Sequence, residues 1–168
     1  MHYRFLLNYL LHLIRLFPIT LILYSCEPIA NHFNNVEDAI MYRASTIKDF
    51  PPKKTIKVMT WNIRFGVARS NFFGDGCGDR VIFTKKEVAA GLEGLANKIN
   101  LEDPDILLLQ EVDVQSKKTG YIDQAQWLLN NTNMNYGAYA SMWEAQVILA
   151  DGLGRVNTGN LILSKWEL

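Results

Sequence analysis

The chain has 168 residues, 49% of them hydrophobic, with 17 basic and 17 acidic side chains that leave no formal net charge. That composition suits a globular domain with a sizeable core and excludes a disordered tail; with no internal repeat, a solenoid is excluded too. Balanced charge also gives no footprint for tight, nonspecific binding to nucleic acid.

The charges are unevenly spread: residues 1–26 hold Arg4 and Arg15 and no acid, which leaves 15 basic and 17 acidic side chains beyond them. Arg4, His12 and Arg15 precede the apolar stretch Leu16–Tyr24, and Leu23-Tyr24-Ser25-Cys26 follows the pattern of a cleavage site. Residues 1–25 therefore predict an export signal. The four-residue run resembles the bacterial lipoprotein signal, which implies acylation of Cys26 and a place in the bacterial cell envelope, as a membrane-anchored lipoprotein or secreted. The competing expectation is an uncleaved anchor, since Phe5–Tyr24 approaches the ~20 residues that span a bilayer. If Cys26 is lipidated, Cys77 is left without a partner; if it is not, Cys26–Cys77 is the one disulfide the chain allows.

Residues 26–54, with Asn31, Asn34, Asn35 and Pro51-Pro52, predict a tether, and the domain is expected over 55–168. Ile56–Trp61 predicts a strand, followed by a loop whose core is Gly74-Asp75-Gly76-Cys77-Gly78-Asp79. Thr84-Lys85-Lys86-Glu87 fits a capping box. Val88, Leu92, Leu95 and Ile99 then fall on one helical face, and Asp103-Pro104 ends the helix. Asp105–Leu109 predicts a strand covered on both faces. A second helix is expected over Ile122–Asn131, with Ala125, Leu128 and Leu129 inward. Tyr136–Trp143 and Gln146–Leu149 predict meander strands, Asp151-Gly152-Leu153-Gly154 a turn, and Leu161-Ile162-Leu163 the last strand.

Two strand ends carry the candidate chemistry. Asn62 closes the first strand, either as a turn residue bonded to its own backbone or as a polar site group. Glu111 directly follows four aliphatic residues, so its charge needs a cation, a proton or a salt bridge to Lys117, Lys118 or Arg155. The Gly74–Gly78 loop does not fit a phosphate-cradling P-loop, lacking its Lys and hydroxyl residue, and predicts a surface loop beside the site. Trp61, Trp127, Trp143 and Tyr139 are expected in the core.

Thr60-Trp61-Asn62, then Pro104-Asp105-Ile106-Leu107-Leu108-Leu109-Gln110-Glu111-Val112-Asp113, then Thr158-Gly159-Asn160-Leu161-Ile162-Leu163-Ser164-Lys165, resembles the endonuclease/exonuclease/phosphatase superfamily in order and spacing. The resemblance implies an α+β fold, a four-layer αββα sandwich of two packed mixed sheets, of which this chain supplies about the N-terminal half. It implies metal-dependent hydrolysis of phosphate esters, with Mg²⁺ or Mn²⁺ bound by Glu111 and Asn62 as catalytic and metal-holding residues. Asp113 and Asn160 lie within the matched blocks and are candidates for phosphate contact or for supporting hydrogen bonds. The substrate could be a nucleic acid, a nucleotide, an inositol phosphate or a phospholipid headgroup.

The family's further Asp-x-Asn block and late Asp-His pair have no counterpart here, and the three histidines, His2, His12 and His32, precede the expected domain. The sequence thus predicts part of a larger enzyme, inactive by itself. The competing reading is a non-enzymatic, membrane-tethered binding fragment or a decayed copy of such an enzyme.

Overall fold

The computed structural model describes residues 30, 31, 33, 35–74, 77–148 and 151–168. The chain divides into two compact units, Met1–Ala30 and Asn31–Leu168. The expected export signal over residues 1–25 and Cys26 lie outside the described residues.

The second unit is one mixed, five-stranded sheet with two α-helices. In chain order its elements are β1 (Ile40–Arg43), β2 (Val58–Asn62), α1 (Lys85–Glu102), β3 (Ile106–Asp113), α2 (Gln124–Asn131), β4 (Tyr136–Ile148) and β5 (Gly152–Ser164), with short 3₁₀ turns at Arg64–Gly66 and Lys117–Thr119. The strands lie in the order β1-β4-β5-β3-β2. β2 and β3 run parallel, joined through α1 as a parallel pair requires, and the other pairings are antiparallel.

The capping box forms as expected. Thr84 Oγ1 accepts from the Glu87 backbone N–H, and the Glu87 carboxylate accepts from the Thr84 N–H at 2.9 Å. Val88, Leu92, Ala96 and Ile99 are buried along α1, whereas the expected Leu95 is only partly buried at the edge of the core. The helix ends where Asp103 turns left-handed (φ 45°) before Pro104. Ala125, Leu128 and Leu129 point inward from α2 as predicted.

Both helices contribute to the core on one face of the sheet. There Leu107 and Leu109 of β3 meet Leu161 and Leu163 of β5, and Met59 and Trp61 of β2 pack alongside. Pair register puts Met41, Ala138, Ile162, Leu108 and Thr60 in a row on the opposite face. Met41 is 59% exposed and Ile162 40%, so β3, expected to be covered on both faces, is covered on one by the described residues. A second packed sheet is not among them.

Two further differences have physical causes. The stretch expected as a tether contributes β1, which pairs with β4 through Ile40–Tyr139 and Arg43–Tyr136. Lys48 continues the docking, its backbone N–H donating to Asn135 Oδ1 at 2.9 Å and its ammonium to the Thr132 carbonyl at 2.9 Å. Main-chain pairing and amide side chains hold this polar stretch, so its composition hides it. The predicted meander strands are one continuous β4, because register shifts near Ser141/Trp143 and Ala145/Val147 absorb the break in alternation.

Candidate active site

The parallel register sets Asn62 of β2 against Gln110 of β3. β2 stops there, while β3 runs on through an irregularity between Leu109 and Val112. In that bulge Glu111 adopts φ 56°, a left-handed conformation uncommon outside glycine, and its side chain turns towards the end of β2. Asn62 Nδ2 donates to Glu111 Oε1 at 2.8 Å. Asn62 Oδ1 in turn accepts from the Arg64 backbone N–H at 3.0 Å, so the amide is oriented at both ends.

The chain leaves β2 through a strained turn. Arg64 (φ 51°) and Phe65 (φ 56°) are consecutive left-handed residues with full side chains. Three interactions hold them. Arg64 donates to the carbonyls of Ala68 at 2.6 Å and Ser70 at 2.9 Å, and the buried Gln124 of α2 donates from Nε2 to the Phe65 carbonyl at 2.7 Å. Gln124 Oε1 accepts from the Asp113 backbone N–H at 3.0 Å, so one amide ties this turn to the strand bearing Glu111. Helix α1 comes close enough that a Cβ on Gly91 would collide with the Gly66 carbonyl, which accounts for glycine at that helical position.

Between these segments lies a cleft of about 410 Å³ lined by Asn62, Arg64, Phe65, Phe72, Gly74 and Glu111. A groove of about 580 Å³ along α1 shares Asn62 and Arg64 with it and carries Arg69. The Phe65 and Phe72 rings pack 5.3 Å apart and form an aromatic wall. Gly74 places the start of the glycine-rich loop at the cleft; Asp75 and Gly76 lie outside the described residues.

None of the three cations expected as salt-bridge partners forms an ion pair with Glu111. Lys117 pairs with Asp151 at 2.6 Å, Arg155 with Glu144 at 3.5 Å and Lys118 with Asp113 at 3.3 Å. Glu111 has one described hydrogen-bond partner, Asn62, and its second oxygen, Oε2, has none among the described residues. Among the described residues no cluster of three His, Cys, Asp or Glu side chains is placed to hold a metal. One carboxylate and a neighbouring amide still fit Mg²⁺, which keeps several waters and takes one or two carboxylates together with substrate phosphate oxygens.

The other two candidates separate. Asp113 is fully buried, its carboxylate accepting from Thr158 Oγ1 at 2.6 Å and Thr119 Oγ1 at 2.9 Å beside the Lys118 ammonium. Burial pushes Asp113 above the usual carboxylate range against the pull of Lys118, and burial pushes the Lys118 amine down. Asp113 therefore anchors the strand behind the cleft. Asn160 is exposed on β5 opposite Ala140, in the stretch of β5 that faces the bulge of β3, and no hydrogen bond joins it to Glu111. Tyr139 is buried in the core and Trp61 and Trp127 pack against it, as expected, whereas Trp143 is half-buried with its ring 5.9 Å from the Lys118 ammonium.

Sequence reasoning missed Gln124, and it named Lys118 only as a possible partner of Glu111, whereas its partner is Asp113. A polar residue at the first position of a helix gives no local sign of burial, and for Lys118 the one signal is its place in the short turn that follows β3. The family model described as Endonuclease/Exonuclease/phosphatase family matches residues 59–168, which contain both strand ends, the bulge and β5. No curated protein and no solved structure matches the chain.

Proposed function

Because the chain belongs to the Endonuclease/Exonuclease/phosphatase family, a group of phosphoesterase and nuclease-type hydrolases, we propose that its cleft binds a divalent cation and the phosphoryl group of a phosphate ester. The observation that carries this reading is the Asn62–Glu111 pair, a carboxylate steered by an amide at the mouth of a cleft, on a bulge in an uncommon backbone conformation. Glu111 would hold Mg²⁺ or Mn²⁺ through Oε2, with Asn62 fixing its orientation through Oε1. When bound, such an ion supplies Lewis-acid polarisation of a phosphoryl oxygen. The chain's own residues do the rest: Arg64 keeps the turn closed, and Phe65 and Phe72 wall one side of the cleft and limit water access.

Among the described residues lining the cleft, Glu111 is the one carboxylate, and none is a histidine. We therefore assign this cleft cation and phosphate binding, without substantial hydrolysis by the chain on its own. Nucleic acid, nucleotide, inositol phosphate and phospholipid headgroup all share the required phosphoester, and the near-neutral charge disfavours bulk DNA among them. The sequence of residues 1–26 supports an envelope location with Cys26 acylated. Incorporation of labelled palmitate, abolished by Cys26→Ser, tests that assignment.

Calorimetric titration of Mn²⁺ into the purified chain, beside Glu111→Gln, tests the site. Binding lost in the variant supports the proposal. Equal binding by both, or by neither, overturns it and leaves the non-enzymatic reading.

A further inference from the structure

Behind the cleft sits a buried cation that the reading above leaves unused. Lys118 lies in the 3₁₀ turn Lys117–Thr119, and 5% of its side chain is exposed. Its ammonium is 3.3 Å from Asp113 Oδ1 and 3.3 Å from the centroid of the Phe65 ring. Phe65 is also the wall of the cleft that contains Glu111, so the ammonium lies behind that wall. The ammonium pairs with Asp113 and forms no ion pair with Glu111.

Stability alone is a poor reason for this arrangement. A buried ion pair loses hydration on both partners, and apolar residues of similar volume often serve the fold as well. A fixed charge in a poorly hydrated place, however, acts strongly on whatever enters the neighbouring cleft, and it acts in opposite senses on cations and anions.

Resting on the assignment of Glu111 as the cation-holding carboxylate, we propose that Lys118 is a positioning residue that sets the charge balance of the cleft. Its ammonium opposes the hold of Glu111 on a divalent cation and favours the anionic phosphoryl group, while its contact beneath Phe65 keeps the aromatic wall in place. A cleft of this kind holds its metal loosely when empty and firmly once a phosphate ester is present. Its preferred substrates carry full negative charge at the reacting phosphorus.

The test removes the cation without stranding a buried carboxylate. In an Asp113→Asn background of the full chain, Lys118→Met and Lys118→Arg are compared for Mn²⁺ binding by calorimetry and for dimethyl phosphate binding by phosphorus line broadening in the presence of Mn²⁺. Lys118→Met is expected to tighten Mn²⁺ severalfold and weaken dimethyl phosphate severalfold, and Lys118→Arg to restore both. Weakening of both ligands marks a merely structural lysine and overturns the proposal, as does no change in either. If circular dichroism shows the Asp113→Asn background unfolded, Lys118→Gln in the wild-type chain carries the same opposed expectation. Mn²⁺ binding that Glu111→Gln leaves intact overturns the assignment of Glu111 and this proposal with it. Glu111-dependent binding indifferent to Lys118 overturns this proposal alone.

Discussion

Asn62 and Glu111 stand 49 residues apart in sequence and 2.8 Å apart in space, and the hydrogen bond between them runs from amide nitrogen to carboxylate. Since the Asn62 oxygen is taken by the Arg64 N–H, the side chain steers Glu111 with its nitrogen. Asn62→Ala is expected to leave the carboxylate in place but free to rotate, weakening Mn²⁺ about tenfold, at the low end of losses seen when a group supporting a ligand is removed. Calorimetry on the variant measures it. Unchanged affinity would show that the bulge alone orients Glu111.

Gln124 bridges two backbone groups, the part-buried Phe65 carbonyl and the buried Asp113 N–H. Gln124→Leu keeps similar bulk but strands both, and each unsatisfied group costs about 1–3 kcal/mol. The variant should lose about 2–4 kcal/mol in urea unfolding. A loss below that range would mean that water replaces the amide.

The acid limb of stability should depend on Asp105. Its carboxylate accepts from Lys53 at 2.6 Å, from the Lys57 N–H at 2.9 Å and from Lys165 at 3.1 Å, and these contacts hold it well below its ordinary value of 3.8. A depressed folded-state pKa means that the unfolded chain binds the proton first, so this contribution is complete above 3.8 and is lost as pH falls through the lower folded value. Asp105→Asn should flatten the dependence of the urea midpoint on pH below 3.8. Asp113, raised by burial, has the opposite sign and acts above 3.8, so the two effects occupy separate windows.

Adjacent residues of β5 should respond very differently to the same substitution. Leu163 is fully buried beneath the helices, and Leu163→Ala is expected to cost about 2–5 kcal/mol. Ile162 points to the open face at 40% exposure, and Ile162→Ala should cost under about 1 kcal/mol. If thermal or urea unfolding gives equal losses, a second copy of the chain covers that face in solution.

Local signals carried most of the helices. Thr84 and Glu87 are three residues apart and specify their own cap, and Val88, Leu92 and Ile99 mark a face by spacing alone. Trp61-Asn62 was legible as the end of β2, whereas the aliphatic run that stops before Gln110-Glu111 marks a bulge, beyond which β3 continues to Asp113. What decides the site was less legible. The left-handed backbone of Glu111, Arg64 and Phe65 depends on contacts from α2 and β3 distant in sequence, and none of the three is the glycine that would announce it. The strand Ile40–Arg43 was hidden for a similar reason: four residues have little periodicity, and their partner, Tyr136–Tyr139, lies about a hundred residues on.

β2 has a neighbour on one side, β3, and ends the described sheet on the other. Edge strands open locally at a smaller free energy than the strands between them. Fraying of β2 would carry Asn62 away from Glu111 while β3, β4 and β5 stayed paired, so the cleft can be dismantled without unfolding the core. The pair also closes a long loop through α1, a contact that local-first folding forms late. A cation held by Glu111 would favour the Asn62–Glu111 pairing and so act as a latch on β2, and hydrogen exchange at Thr60 and Trp61 would report its arrival before global stability changed.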